Sequence, residues 1–101
     1  ADYAVPEARM PVVRFTRNLE RFFPVLAEGP IAADGETVAE IVAALDQQLP
    51  GLASYLVDET GALRKHVNIF VGQALVQDRR RLSDRVPSDA ELYVVQALSG
   101  G

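Results

Sequence analysis

The chain has no cysteine and no tryptophan, and it holds a single methionine (Met10), a single histidine (His66) and a single lysine (Lys65). Without a thiol there is no disulfide framework, no thiolate metal site and no nucleophilic cysteine. The same absence removes the iron–sulfur ferredoxins, whose clusters need cysteine ligands. Any sulfur chemistry must then involve a group other than a side-chain thiol. One histidine with no paired carboxylate motif at ligand spacing gives no metal site, and His66 reads as a surface strand residue. No apolar run approaches the roughly 20 residues of a membrane-spanning helix. The N-terminus also lacks the charged-then-apolar order of a signal peptide, so the expected location is cytoplasmic.

A basic excess is missing too. The net charge of −4 argues against nucleic acid as the main partner, because binding a polyanion needs a basic face that displaces counterions. Arg64, Lys65, Arg79, Arg80, Arg81 and Arg85 fall in the C-terminal half, where they form either a patch for an acidic partner or an ordinary solvated surface. With 101 residues, 49% hydrophobic and 24% charged, the composition is that of one globular domain.

The segments that remain read as an α+β pattern. Residues 1–10 carry Pro6 and no periodicity and are expected to be an extension outside the domain. Residues 12–17 alternate as a strand with Val13 and Phe15 inward, and a second strand is expected within residues 25–33. Thr37-Val38-Ala39-Glu40 has the spacing of a capping box, and Val38, Ile41, Val42, Leu45 and Leu49 recur at helical spacing. These predict a helix over residues 37–48 that Pro50-Gly51 ends, with a short helical turn to follow through Leu52, Tyr55 and Leu56. In residues 63–71, Val67, Ile69 and Val71 share one face and His66, Asn68 and Phe70 the other. Gly72-Gln73 is a tight turn, residues 74–77 a return strand, residues 79–85 a polar connection, and residues 91–98 the last strand. One helix on one face of a mixed sheet is the fold class this order predicts.

The chain stops on Ser99-Gly100-Gly101, directly after that last strand. Glycine costs conformational entropy and packs nothing, so a terminal pair either is a loose end or serves a purpose outside folding. With no Cβ on either residue, the tail can lie extended in a narrow channel with its carboxylate open to attack.

The combination of Gly35-Glu36-Thr37-Val38, His66-Val67-Asn68-Ile69-Phe70-Val71, the turn from Val86 to Glu91, and the strand running into Ala97-Leu98-Ser99-Gly100-Gly101 resembles the MoaD/ThiS family of ubiquitin-like sulfur carriers. The resemblance spans residues 12–101 and implies a ubiquitin-like β-grasp: residues 11–98 as the domain and 99–101 as a flexible tail. It departs at Gly72-Gln73, where many relatives have Asn-Gly, and at Gln96, where proline is common. It implies that a ubiquitin-activating-type adenylyltransferase adenylates the Gly101 carboxylate, with Gly100 as its slim neighbour. A sulfur donor then leaves a C-terminal thiocarboxylate, which a biosynthetic enzyme for cysteine, molybdopterin or a secondary metabolite accepts. Leu98 and Ser99 belong to the tail that enters the activating enzyme. Such a chain is a carrier and not an enzyme; it binds no cofactor itself, and its partner uses the ATP. By alternation Phe70, Tyr93 and Val95 should lie on the open sheet face as a docking patch, unless loops or a second copy of the chain cover them. The competing functions are a ubiquitin-like modifier conjugated to target lysines and a non-catalytic binding module.

Overall fold

The computed structural model describes residues 11–97; the expectations for residues 1–10 and for Leu98, Ser99, Gly100 and Gly101 lie outside the described residues. Five strands form one mixed sheet: β1 (Val12–Phe15), β2 (Ile31–Ala32), β3 (Val67–Val71), β4 (Ala74–Leu75) and β5 (Glu91–Gln96), in the order β2-β1-β5-β3-β4. The last strand is central. It runs parallel to β1 and antiparallel to β3, with Val13 opposite Leu92 and Ile69 opposite Val94. Between β2 and β3 the chain forms the helix α1 (Val38–Gln48) and the short α2 (Ala53–Leu56). This is the expected β-grasp arrangement.

Alternation sets the two faces of the sheet. Val13, Val67, Ile69, Leu92 and Val94 are buried and join Val38, Ile41, Val42 and Leu45 of α1 in one apolar cluster. Removing this much aliphatic surface from water is the main force behind the fold.

The start of α1 is fastened in three ways. Thr37 Oγ1 accepts a hydrogen bond from the Glu40 N–H at 3.2 Å, and Glu40 Oε1 accepts one from the Glu36 N–H at 2.8 Å, which completes the box. The N–H groups of Val38 and Ala39, which no helix can satisfy internally, donate to the carbonyls of Asp84 and Leu82. Gly35 lies against this turn so closely that a Cβ would sit 2.8 Å from Glu40 Cβ and 2.9 Å from the Ile41 nitrogen. At the other end, Asp46 Oδ1 accepts from the N–H groups of Gly51 and Ala53, which turns the chain from α1 into α2.

The second strand lies within residues 25–33 as expected, at Ile31–Ala32 only, and several other expectations are corrected. Pro24–Glu28 is a 3-10 turn, because Pro24 fixes the first helical φ and Leu26 alone needs burial. The first strand ends at Phe15, since a second 3-10 turn begins at Arg17. The middle strand starts at Val67, the return strand is Ala74–Leu75, and the last strand ends at Gln96. Residues 79–85 are not simply polar: Leu82 is 2% exposed and adopts φ +54° to reach both the core and the helix N-terminus.

Candidate docking face and tail root

Two surfaces of β5 meet at its C-terminal end. On the face away from α1, register aligns Arg14 with Tyr93, Tyr93 with Phe70, and Phe70 with Leu75, one residue from each of four strands. Tyr93 is 42% exposed and Leu75 47%, while Phe70 and Val95 are half-buried. Val95 lies opposite Asn68 in the next row. The face predicted from alternation is therefore the observed one, although Phe70 and Val95 are more covered than expected. Arg14 pairs with Glu91 at 2.7 Å on the exposed rim, a contact that water screens strongly. At the other edge Arg79 donates to Asn68 Oδ1 and to the Arg64 carbonyl, both at 2.7 Å, so this member of the basic run is structural. Arg80 and Arg81 stay exposed.

Leu75 and Arg14 were not read from the sequence as part of this face. The signal was the two-residue turn at Gly72-Gln73, φ +62° at Gly72, which pairs Val71 with Ala74 and therefore Phe70 with Leu75.

The second surface is where the tail leaves. The Gln96 N–H donates to Thr16 Oγ1 at 3.0 Å, and the Ala97 N–H donates to the His66 carbonyl at 2.9 Å. Hydrogen bonds to both neighbouring segments thus hold the chain as far as Ala97. His66 is half-buried at this point, with Nε2 3.4 Å from Gln96 Nε2. Beside it lies a cleft of about 280 Å³. Among the described residues no group of three His, Asp or Glu side chains is arranged to hold a metal.

Two carboxylates, Asp58 and Asp78, hold turns together. Asp58 accepts from the Thr60 hydroxyl and from the N–H groups of Thr60 and Ala62; the Thr60 hydroxyl bond, then that residue's backbone bond, lower its pKa from the ordinary value. Asp78 accepts from the Ser83 hydroxyl and from the N–H groups of Arg80, Arg81 and Ser83, which hold it down at about 2, the Ser83 hydroxyl contributing most. Both bonded carboxylates favour the ionised form.

A central last strand with one main helix on one face of a mixed five-stranded sheet defines a ubiquitin-like β-grasp protein. The ThiS family profile matches residues 13–101, and the chain belongs to the ThiS family. Solved structures agree. A chain of the Amycolatopsis orientalis BexX/CysO complex is similar at 25% identity and TM-score 0.77, over 90% of this chain and 99% of that one. CysO from Mycobacterium tuberculosis is similar in fold at 20% identity and TM-score 0.75, over 87% and 99%. Small archaeal modifier protein 1 from Methanosarcina acetivorans follows at 17% identity and TM-score 0.72, over 94% and 99%. No curated protein matches the chain in sequence. Among the described residues no helix is long and apolar enough to cross a membrane.

Proposed function

We propose that the chain is a sulfur carrier whose Gly101 carboxylate is the reacting group. The observation that carries this reading is the ThiS match running through Gly101 on a strand that is hydrogen-bonded through Ala97. Leu98, Ser99, Gly100 and Gly101 extend at most about 14 Å beyond Ala97, at 3.3–3.6 Å per residue. That length reaches into a partner's channel while the domain docks outside it.

A carboxylate is a poor electrophile. In the activating step a carboxylate oxygen attacks the α-phosphorus of ATP, pyrophosphate leaves, and the carbonyl acquires AMP as a leaving group. A hydrosulfide-class donor then adds to the carbonyl, AMP departs with the bonding pair, and the donor's proton goes to solvent, leaving –C(O)S⁻. The chain supplies the reacting end and the adenylyltransferase supplies the catalysis and the ATP site. Phe70, Tyr93, Val95 and Leu75 dock that enzyme, and Leu98 and Ser99 belong to the tail that enters its channel. The thiocarboxylate passes to an enzyme making cysteine, molybdopterin or a secondary metabolite; the BexX/CysO complex is a precedent for a relative assembling with a second protein.

ATP–pyrophosphate exchange with the adenylyltransferase tests this reading. Gly100→Ala places a Cβ beside the reacting carboxylate, and a misplacement of an ångström costs on the order of a hundredfold in rate. Ser99→Ala, which removes only a hydroxyl, should be much milder. Equal exchange by wild type and Gly100→Ala would leave the diglycine as a loose end and favour the binding-module reading. The modifier reading, which the similarity to small archaeal modifier protein 1 favours, shares the adenylation and ends instead in an amide to a target lysine. Adducts of higher mass in place of a thiocarboxylate would mark it.

A further inference from the structure

Along β5 the inward positions are Leu92, Val94 and then Gln96, which pairs with the fully buried Val67. A polar side chain thus follows two core residues on the helix side of the sheet, the side opposite Phe70 and Tyr93. Its Oε1 is buried and accepts no hydrogen bond. Such an acceptor is unfavourable unless a donor reaches it.

Gln96 opens into the cleft at the tail root, which Asn18, Arg21, Phe22, Tyr55 and His66 also line and which Ala97 borders. Among the described residues no carboxylate lines this cleft, although the whole chain carries a net charge of −4. Arg21 forms no ion pair with a described carboxylate; its guanidinium lies 5.4 Å from the centre of the Phe22 ring. Phe22 is 54% exposed, yet it is stacked on Tyr55 at 5.2 Å, and Phe23 meets the same Tyr55 edge-on at 5.6 Å. An exposed aromatic already held in place loses little freedom when a partner covers it, and arginine and aromatic residues are the types that dominate interfaces.

We propose that this cleft receives an extended, carboxylate-bearing segment of the activating enzyme, so that the enzyme grips β5 on both faces as it takes the tail. The proposal rests on the carrier reading above. The segment's carboxylate pairs with Arg21 in a charge-assisted bond, and an apolar side chain covers Phe22 and closes the cleft beside Gln96. The tail imposes the location: with four residues after Ala97, the mouth of the partner's channel lies within roughly 14 Å of the cleft.

The test is calorimetric binding of the full-length chain to the ubiquitin-activating-type adenylyltransferase of its source organism, at low and high salt. Arg21→Glu should weaken binding about tenfold or more at low salt and flatten the salt dependence, because it removes an attractive charge pair. Phe22→Ala should weaken binding about tenfold at either salt. Arg80→Glu, an equal charge change outside the cleft, should match wild type. Arg21 and Arg80 are exposed, so their urea midpoints should stay near wild type, while Phe22→Ala loses its stack on Tyr55 and should lower the midpoint by less than about 1 M. If wild type binds and gains its thiocarboxylate while Arg21→Glu and Phe22→Ala bind within twofold of it, the cleft proposal is overturned and the carrier reading stands. A wild type that neither binds nor gains sulfur overturns both.

Discussion

Replacing Ile69 and Phe70 in turn by alanine separates the two faces of β3. Ile69 is 1% exposed and lies opposite Val94 in the centre of the core. Truncation there removes three carbons from a site that α1 and β5 cannot collapse to fill, at about 2–5 kcal/mol. Phe70 carries more carbon but is only half-buried, so its truncation should cost roughly half of the 3–5 kcal/mol of a fully buried phenylalanine. With a urea slope of about 1–3 kcal/mol per molar, Ile69→Ala should lower the unfolding midpoint by roughly 1–3 M and Phe70→Ala by less. Binding to the adenylyltransferase should show the reverse order. Phe70→Ala removes a central apolar contact and should weaken association about tenfold, whereas Ile69→Ala, assayed where it remains folded, should bind nearly as wild type. A larger midpoint loss for Phe70→Ala than for Ile69→Ala would refute the face assignment, because a one-residue slip of register exchanges every side chain between faces.

Gly35→Ala forces a Cβ to within 2.8 Å of Glu40 Cβ and 2.9 Å of a backbone nitrogen, and it should destabilise by about 1–3 kcal/mol in urea unfolding; an unchanged midpoint would contradict that close approach. Asp78 has its folded pKa lowered from 3.8 to about 2, so its contribution to stability is complete above pH 3.8 and disappears as pH falls through about 2. The stability difference between wild type and Asp78→Asn should therefore shrink from pH 5 to pH 2 in acid unfolding, and a difference that grows would reverse the assigned sign.

The helix and the two longest strands were legible because each has a period and a local marker. Thr37 and Glu40 announce the helix, and Val67, Ile69, Leu92 and Val94 repeat every second residue. Leu26 and Leu82 had no such signal. Each is a single buried leucine in an irregular segment, where burial depends on residues distant in sequence; Leu82 also takes a left-handed φ that no neighbour predicts. The same limit applies to the candidate sites. Alternation gives Phe70, Tyr93 and Val95 a common face, but Leu75 and Arg14 join it only through cross-strand register. The cleft at the tail root depends on Phe22 meeting Tyr55, 33 positions away in the chain, and on Gln96 standing where the core ends. Composition pointed to an acidic protein, and only the folded arrangement gathers Arg21 and His66 beside the departing tail.

Intact-mass measurement after incubation with the adenylyltransferase, ATP and a hydrosulfide donor tests the carrier reading most directly. Exchange of the terminal –OH for –SH should add about 16 Da to wild type. A chain lacking Gly101 should keep its fold and gain nothing. A wild-type mass that stays constant while the enzyme remains active on a known carrier would contradict the account, as would an equal gain in the chain without Gly101.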